Sequence, residues 1–257
     1  MRVLITSGGT KVPIDRVRDI TNMSNGTFGS RIAHAALDAG HEVTYLCAKH
    51  SKTPFSMNLD YSQALYPSRE RWEKDLNQWG DFWNWCEAHR DQYNEQRFRN
   101  FDDYAEKLES WVRMQPDIVI LAAAVSDYGV MNSVDGKIRT KGEMAIEMYP
   151  LPKLIGRVKE WHPNCCLVGF KLLVDSTDEE LMEAAFQSNH KNDCDLVVAN
   201  NLRDLQANNH RLVLVPKDRS YRVCTKNDSE DPLHLAQQVM EEAFKCHEKF
   251  CSASPAA

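Results

Sequence analysis

Two short glycine-containing loops near the N-terminus carry the first residues that could bind a ligand. Residues 7–10 (SGGT) follow the apolar run 2–6, and residues 24–29 (SNGTFG) precede a helical pattern. Glycine-rich loops turn backbone N–H groups towards anions, and ligands of open α/β folds bind at the carboxyl ends of parallel strands. The spacing therefore predicts a phosphate- or nucleotide-binding edge. A plain connecting turn is the alternative for the first loop.

The chain between these loops is rich in charge. Lys11, Arg16 and Arg18 precede the second loop, and Asn22 stands just before it. Cations beside anion-binding loops could hold a phosphorylated ligand, and the Asn22 amide can donate to and accept from a bound acyl group. The alternatives are solvated cations paired with neighbouring aspartates and a simple turn asparagine.

A second group of candidates follows the apolar run 117–124. Three alanines end that run, and Asp127 comes just after them. Small side chains at a strand end would let a flat ligand lie against the backbone, and the carboxylate could hold a ribose hydroxyl or a cation. Further on, Lys137 lies in the basic loop 136–142, where it could neutralise charge on a transferring group. Helix packing by the alanines and mere loop solubility are the alternatives.

The elements that must position these residues alternate between strand and helix. An apolar run between turn signals predicts a strand, and apolar residues three or four apart predict a helix. Predicted strands are 2–6, 42–47, 117–124, 143–149, 166–170 and 195–199, with a hairpin formed by 212–215 and 221–224. Predicted helices are 30–40, closed by Gly40, 101–114, one capped at Thr177, and 232–249, before a frayed tail. This order predicts an α/β fold whose mostly parallel, Rossmann-like central sheet is flanked by helices.

Residues 51–113 interrupt the pattern. They hold prolines and the tryptophans Trp72, Trp79, Trp83 and Trp85 in a polar context, which indicates a variable insertion with helical parts. The rings could clamp a base or a sugar, but buried aromatic packing is favoured because of the apolar area they carry. We interpret residues 1–257 as a single domain containing this insertion.

Composition excludes several classes of protein. The 257 residues contain 31 Lys and Arg against 37 Asp and Glu, a formal charge of −6 that argues against a nucleic-acid-binding protein. The longest apolar run, 118–125, is too short to span a membrane. The eight cysteines show no C-x-x-C spacing, which favours reduced structural thiols and a cytoplasmic location. The sequence shows neither a metal-ligand pattern nor a nucleophile–base pattern, so residue chemistry alone reaches only a nucleotide- or phosphate-binding α/β protein.

The combination of motifs resembles a known enzyme family. The motifs are SGGTKVPID (7–15), VRDITNMSNG (17–26), AAAVSD (122–127), Lys137-Ile138, GFKL (169–172) and VVAN (197–200). In order and spacing they are similar to those of phosphopantothenoylcysteine synthetase, also called phosphopantothenate–cysteine ligase, over roughly residues 1–225 outside the insertion. No flavin-dependent decarboxylase domain precedes them, which predicts the monofunctional form.

The resemblance implies a two-step reaction in coenzyme A biosynthesis. A nucleoside triphosphate, ATP or CTP with Mg²⁺, activates the carboxylate of 4′-phosphopantothenate as an acyl-nucleotidate. The amine of L-cysteine then displaces the nucleotide, giving the amide, NMP and pyrophosphate. The resemblance also implies a homodimer.

The same resemblance assigns roles residue by residue. Asn22 matches the asparagine that holds the acyl-nucleotidate, and Lys137 matches the lysine needed to form it. The implied nucleotide-binding residues are Gly8, Gly9, Thr10, Ala122, Ala123, Asp127, Phe170, Lys171 and Asn200. The implied substrate-phosphate residues are Ser24, Asn25, Gly26 and Arg18.

The sequence departs from the motifs of the family at two places. Asn25 stands where the family commonly has a serine, and Leu173-Val174-Asp175 replaces a more acidic continuation.

Two rival functions are left open. An NAD(P)-dependent Rossmann reductase would share the opening strand, loop and helix. However, the G-x-G-x-x-G pattern is missing, and no acidic residue ends the second strand. A non-catalytic nucleotide-binding module is the other rival.

Overall fold

The computed structural model describes residues 1–56, 69–206, 211–225, 231 and 233–253. Its strands are β1 (Arg2–Ser7), β2 (Lys11–Pro13), β3 (Asp19–Thr21), β4 (Glu42–Ala48), β5 (Tyr93–Phe98), β6 (Ile118–Leu121), β7 (Tyr128–Val130), β8 (Met148–Pro150), β9 (Cys166–Leu173), β10 (Leu196–Asn201), β11 (Arg211–Pro216) and β12 (Arg222–Thr225). Its helices are α1 (Thr27–Asp38), α2 (Arg69–His89), α3 (Phe101–Val112), α4 (Val158–Trp161), α5 (Asp178–Asn192), α6 (Leu202–Gln206) and α7 (His234–Ala253).

The central sheet has eight strands in the order β12-β11-β10-β9-β6-β1-β4-β5. The strands from β10 to β5 pair in parallel, and the β11–β12 hairpin continues the sheet antiparallel at one edge. From β1 the chain moves outwards to β4 and β5, then returns to β6 on the other side of β1. The strand order therefore reverses between β1 and β6, which is where open α/β sheets bind ligands. The predicted fold class is confirmed.

The sheet is covered on both faces, as continuous apolar strands require. Successive side chains of β1 point to opposite faces, so Val3 and Ile5 pack into one buried cluster and Leu4 into the other. The first cluster contains apolar residues of α1 and α7, and the second contains residues of α3 and α5. The helices packed on the two faces fix the parallel strands, so the carboxyl ends of these strands lie along one edge of the sheet.

Several local predictions are confirmed. Helix α1 buries the apolar side of the predicted helix, and Gly40 follows it with φ +76°. The predicted hairpin is present as β11 and β12. At the start of α5 the Thr177 hydroxyl accepts from the Glu180 N–H at 3.2 Å, and the Glu180 carboxylate accepts from the Thr177 N–H at 2.9 Å. This capping box satisfies two helix-terminal N–H groups.

Replacing Thr177 with alanine is expected to lower the free energy of unfolding by about 1 kcal/mol, because the Glu180 N–H loses its acceptor. Urea titration followed by circular dichroism measures the change. The matched control is Thr140→Ala in an exposed loop, which should leave the urea midpoint unchanged. Equal midpoints for both variants would show that the capping box does not stabilise the fold.

The structure departs from the sequence expectations in two elements. Residues 93–98, inside the predicted insertion, form β5, which pairs in parallel with β4 from Val43 opposite Tyr93. Of the predicted strand 143–149, only Met148 and Tyr149 are extended, in β8, which pairs with β7 outside the main sheet. The alternating residues 143–147 lack a buried face, and burial is what holds such a pattern in a sheet.

The tryptophans of the insertion behave differently from one another. Trp85 packs as expected: its ring stacks on His34 with 3.9 Å between centroids, and its Nε1 donates to Asp38 at 2.6 Å. Trp79 and Trp83 are exposed, so the packing prediction is wrong for them. The frayed tail was predicted to follow residue 249, but α7 continues to Ala253, so the prediction is wrong for residues 250–253. The side chain of Trp72 and residues 254–257 lie outside the described residues.

The cysteine thiols are free, and six of the eight are buried. Burial raises the pKa of Cys47 and of Cys194 to about 12, which keeps both protonated near neutral pH. Within the described ranges, no helix combines the length and apolar character needed to cross a bilayer.

Candidate functional site

The loops that follow β1 and β6 meet at the point where the strand order reverses. The Ala124 N–H donates to the Gly8 carbonyl at 2.8 Å, and the Thr10 N–H donates to the Ala124 carbonyl at 3.3 Å. Gly9 and Ala124 form an isolated parallel bridge between these bonds. The first glycine loop and the alanine segment therefore form one continuous backbone surface at the carboxyl edge of the sheet.

Two threonine hydroxyls fix this surface. Thr6, fully buried, accepts from the Ala123 N–H at 3.3 Å. The Thr10 hydroxyl accepts from the Ser126 N–H at 2.8 Å and donates to the Ser126 Oγ at 3.0 Å. Because these bonds tie Ala123 to β1 and Ser126 to the loop that follows β1, the surface is preorganised for a ligand.

Glycine at position 8 is required by both conformation and space. Its φ is +81°, and a Cβ there would lie 1.8 Å from the Ser51 Oγ and 2.9 Å from the Ala48 Cβ. Gly26 has φ +77°, and a Cβ added there would lie 2.9 Å from the Ser51 Cβ. The two glycine loops and the segment after β4 therefore pack directly on one another.

Gly8→Ala is expected to lower the free energy of unfolding by roughly 2–3 kcal/mol, from a left-handed backbone plus a steric clash. Gly40→Ala is the matched control, since Gly40 has φ +76° but nothing within 4 Å of its added Cβ. Gly40→Ala should lower the free energy of unfolding only by the cost of the left-handed backbone, about 1–2 kcal/mol. Chemical denaturation of both variants measures the difference. Equal losses would remove the packing argument.

Asn22 joins the second glycine loop to the alanine segment. Its Nδ2 donates to the Ala124 carbonyl at 3.2 Å and to the Val125 carbonyl at 3.3 Å. Both partners are carbonyl oxygens, which fixes the orientation of the amide and uses both of its N–H bonds. Its Oδ1 has no hydrogen-bond partner in the described part of the chain and remains available as an acceptor.

The second glycine loop leads into α1. Asn25 Oδ1 accepts from the Thr27 N–H at 3.0 Å and from the Thr27 hydroxyl at 2.8 Å, so Asn25 closes the first turn itself. Gly26 is buried at the N-cap position of α1, where N–H groups attract anions. Phe28 meets Phe170 of β9 edge to face, with 6.1 Å between ring centroids. Phe170 therefore lies beside the start of α1.

A cavity of about 410 Å³ opens beside Asn22. Its lining includes Gly9, Asn22, Ser24 and Ser51. The remaining lining residues, which are mostly charged or polar, are Lys11, Pro13, Asp19, Thr21, Ala48, Lys49, His50, Arg99 and Asn100. Lys11 is paired with Asp19 at 3.0 Å and Arg99 with Asp103 at 3.4 Å, which leaves Lys49 as the lining lysine or arginine without an ion pair among the described residues. A cavity of this size and charge suits a phosphorylated small molecule.

Of the lysines and arginines that line this cavity, Lys11 was a candidate from the sequence, whereas Lys49 and Arg99 were not. Lys49 and His50 come directly after β4, so the rule that ligands bind at carboxyl ends of parallel strands would have identified them. Arg99 comes directly after β5, a strand that sequence analysis did not predict.

Arg18 and Lys137 lie apart from this cavity, on the turn between β2 and β3 and on the loop that packs against it. Arg18 Nη2 donates to the Ile138 carbonyl at 3.1 Å, and its Nη1 lies 3.3 Å from an Asp15 carboxylate oxygen. Its guanidinium is thus engaged with the Lys137 loop and not with residues 24–26. Lys137 itself is exposed and has neither a hydrogen bond nor an ion pair to any described residue.

The remaining predicted residues lie along the same sheet edge. Asp127 is exposed and its carboxylate is paired with Lys153. Lys171 pairs with Ala199 across β9 and β10, and Asn200 follows on β10. These strands are the second and third from β1, about 10–14 Å away at the usual strand spacing. Over the described ranges, no cluster of three His, Cys, Asp or Glu side chains could hold a metal.

The chain is similar in sequence to known proteins of coenzyme A metabolism. A family model described as DNA/pantothenate metabolism flavoprotein C-terminal domain matches residues 1–62 and 100–246. The coenzyme A biosynthesis bifunctional protein CoaBC of Thermococcus kodakarensis is 32% identical over 95% of this chain and 51% of its own length. This chain therefore spans about half the length of that relative.

Two further similarities are informative. The human phosphopantothenate–cysteine ligase is 29% identical, over 96% of this chain and 83% of its own length. The crystal structure of a DNA/pantothenate metabolism flavoprotein from Streptococcus pneumoniae superimposes with a TM-score of 0.72 at 28% identity. That alignment covers 95% of this chain and 99% of the other.

Proposed function

Because the chain belongs to the family of DNA/pantothenate metabolism flavoprotein C-terminal domains, we propose that it is a phosphopantothenate–cysteine ligase of coenzyme A biosynthesis. The name of the human relative supports this assignment. The observation that carries it is the Asn22 amide, which joins the second glycine loop to the segment after β6 at the reversal of strand order. A two-step ligase needs its nucleotide and acyl sites in contact at such a point.

In the proposed reaction, the carboxylate of 4′-phosphopantothenate attacks the α-phosphorus of ATP or CTP and pyrophosphate leaves. The amine of L-cysteine then attacks the acyl carbon, the amide bond forms, and NMP leaves with the carboxyl oxygen. The amine proton passes to solvent. Positioning and charge stabilisation supply most of the rate in such a transfer.

The nucleotide would lie along the edge formed by Gly8, Gly9 and Thr10 and by the segment from Ala122 to Asp127. Backbone N–H groups and a surface free of bulky side chains support this placement. Phe170 would contact the nucleotide where it faces the start of α1, and Lys171 and Asn200 extend the same edge. Mg²⁺ would arrive with the triphosphate, which supplies most of its oxygen ligands in sites of this kind.

The acyl end would lie at Asn22. Its two N–H bonds hold the wall of the site, and its Oδ1 would accept a hydrogen bond from the pantothenate amide or from the incoming amine. Ser24, Asn25 and Gly26 would hold the substrate phosphate, with Lys49 of the neighbouring cavity providing positive charge. Lys137 would neutralise charge on the activated acyl phosphate.

We also propose a homodimer in the cytoplasm. The free buried cysteines support a reducing compartment. Size-exclusion chromatography with light scattering measures the dimer directly, and a monomer at micromolar concentration would remove that part of the proposal.

The experiment that tests the function measures pyrophosphate release. Purified protein receives 4′-phosphopantothenate, Mg²⁺ and either ATP or CTP, with and without L-cysteine, and the amide is detected by mass spectrometry. Release that requires phosphopantothenate, and amide that requires cysteine, are expected. A preference for one triphosphate would identify the cosubstrate. Folded protein that releases no pyrophosphate with either nucleotide would overturn the ligase assignment.

A further inference from the structure

A buried carboxylate connects the β2–β3 turn to the loop that carries Lys137. Asp15 Oδ1 accepts from the Val17 and Arg18 N–H groups, both at 2.8 Å. Asp15 Oδ2 accepts from the Ile138 N–H at 3.0 Å, a contact across 123 positions of sequence. The Asp15 side chain is 0% exposed. One carboxylate thus shapes the turn and binds a distant loop.

Arg18 completes this connection. Its guanidinium pairs with Asp15 and donates to the Ile138 carbonyl, so both backbone polar groups of Ile138 are held. On the other side of Lys137, the Gly136 carbonyl accepts from the Arg16 N–H at 2.9 Å. The backbone of Lys137 is therefore fixed at both neighbours, while its amine is exposed.

Such a buried carboxylate is costly unless its bonds offset desolvation. The Val17 N–H, followed by those of Ile138 and Arg18, holds the pKa of Asp15 below its usual value, although burial opposes this. The contacts of Asp15 and Arg18 with Ile138 are called the clamp below. Residues 139–147, which follow it, form neither helix nor strand and are largely exposed. Without the clamp, Lys137 would share the conformational freedom of that segment, and ordering it would cost entropy in each turnover.

We propose that Asp15 is a positioning residue that acts through Lys137. With Arg18 it fixes Lys137 against the β2–β3 hairpin, whose base is tied to the nucleotide edge: Thr21 donates to the Thr10 carbonyl at 3.0 Å. Each strand of this hairpin has three residues, so turn and base are on the order of 10 Å apart. The inference rests on the proposed ligase function, because that function gives Lys137 the catalytic role for which its position matters.

The test is Asp15→Asn. An amide can still accept from the Val17 and Arg18 N–H groups, but its NH2 group faces the Ile138 N–H and breaks that bond. We expect kcat for pyrophosphate release to fall about tenfold while KM for the triphosphate changes less than about twofold. In a Lys137→Ala background the same substitution should have no further effect on kcat, since its target is gone.

The matched control is Asp135→Asn. Asp135 is 85% exposed and pairs with Arg16 at 2.7 Å across the same two segments. The Asp135→Asn substitution should leave kcat for pyrophosphate release unchanged. Asp15→Asn that leaves kcat unchanged, or that multiplies the defect of Lys137→Ala, would overturn the inference.

A second measurement uses the unaltered protein and needs neither activity nor a folded variant. Hydrogen exchange followed by NMR should show the Ile138 amide protected well above the Lys137 and Arg139 amides. Exchange of Ile138 at the rate of its neighbours would overturn the clamp. Absence of pyrophosphate release from wild type, with Ile138 protected, would instead reject the proposed function and, with it, the positioning role, while the clamp would stand.

Discussion

Replacing Lys137 with alanine is expected to slow pyrophosphate release about 10²–10³-fold, the usual cost of removing one group that stabilises transition-state charge. The free energy of unfolding should change by less than about 0.5 kcal/mol, because Lys137 is exposed and its amine makes neither a hydrogen bond nor an ion pair with a described residue. The effect should fall on activation of the carboxylate. Rapid-quench measurement of pyrophosphate in the first turnover isolates that step.

Lys141→Ala is the matched control for Lys137→Ala. Both lysines lie in the same exposed loop, so the two substitutions remove equal charge and leave the same side chain. A normal rate for Lys141→Ala together with a slow Lys137→Ala would assign the effect to position. Similar rates in the two variants would mean that the loop contributes only general electrostatic attraction.

Asn22→Asp is expected to slow amide formation about 10²-fold, because a small misplacement of the acyl end is costly. The new carboxylate would place oxygen against the Ala124 and Val125 carbonyls, which now accept from Nδ2. Repulsion should separate the second glycine loop from the alanine segment. Single-turnover assays that follow pyrophosphate and amide together should show the larger defect in the amide.

Asn192→Asp provides a comparison with the same chemical change. Its Nδ2 donates to the Ser188 carbonyl at 3.0 Å near the end of α5, away from the ligand edge. Amide formation should be unaffected there. If Asn22→Asp formed the amide as fast as Asn192→Asp, Asn22 would have no role in handling the acyl group.

The inner strands of the sheet were predictable because burial on both faces leaves a signal in a single sequence. Strands β6 and β10 contain nearly continuous apolar residues, and β1 differs only at its ends. Strand β5 has no such signal: its sequence is YNEQRF, and only Phe98 is buried. An edge strand pairs on one side and carries polar residues that discourage further pairing. Its assignment depends on its pairing with β4, which only the structure shows.

The ligand edge was partly predictable for a similar reason. Glycine loops and small residues at strand ends must lie near one another if the strands are parallel, and the Thr10–Ala124 bond shows that they do. The roles assigned to these residues stay predictions. The partner of Asp15 could not be predicted, because nothing near position 15 identifies an N–H group at position 138. Local charge suggested surface pairing instead.

The position of β5 has a consequence for how the protein can vary in length. The family model passes over residues 63–99, which contain α2 and β5, yet β5 continues the sheet in register beside β4. A strand added at an edge leaves the pairing of every inner strand unchanged, and doubling a connecting segment costs only about 0.6 kcal/mol of closure entropy. Evolution could therefore lengthen or remove this arm while the reversal point between β1 and β6, several strands inwards, keeps its shape.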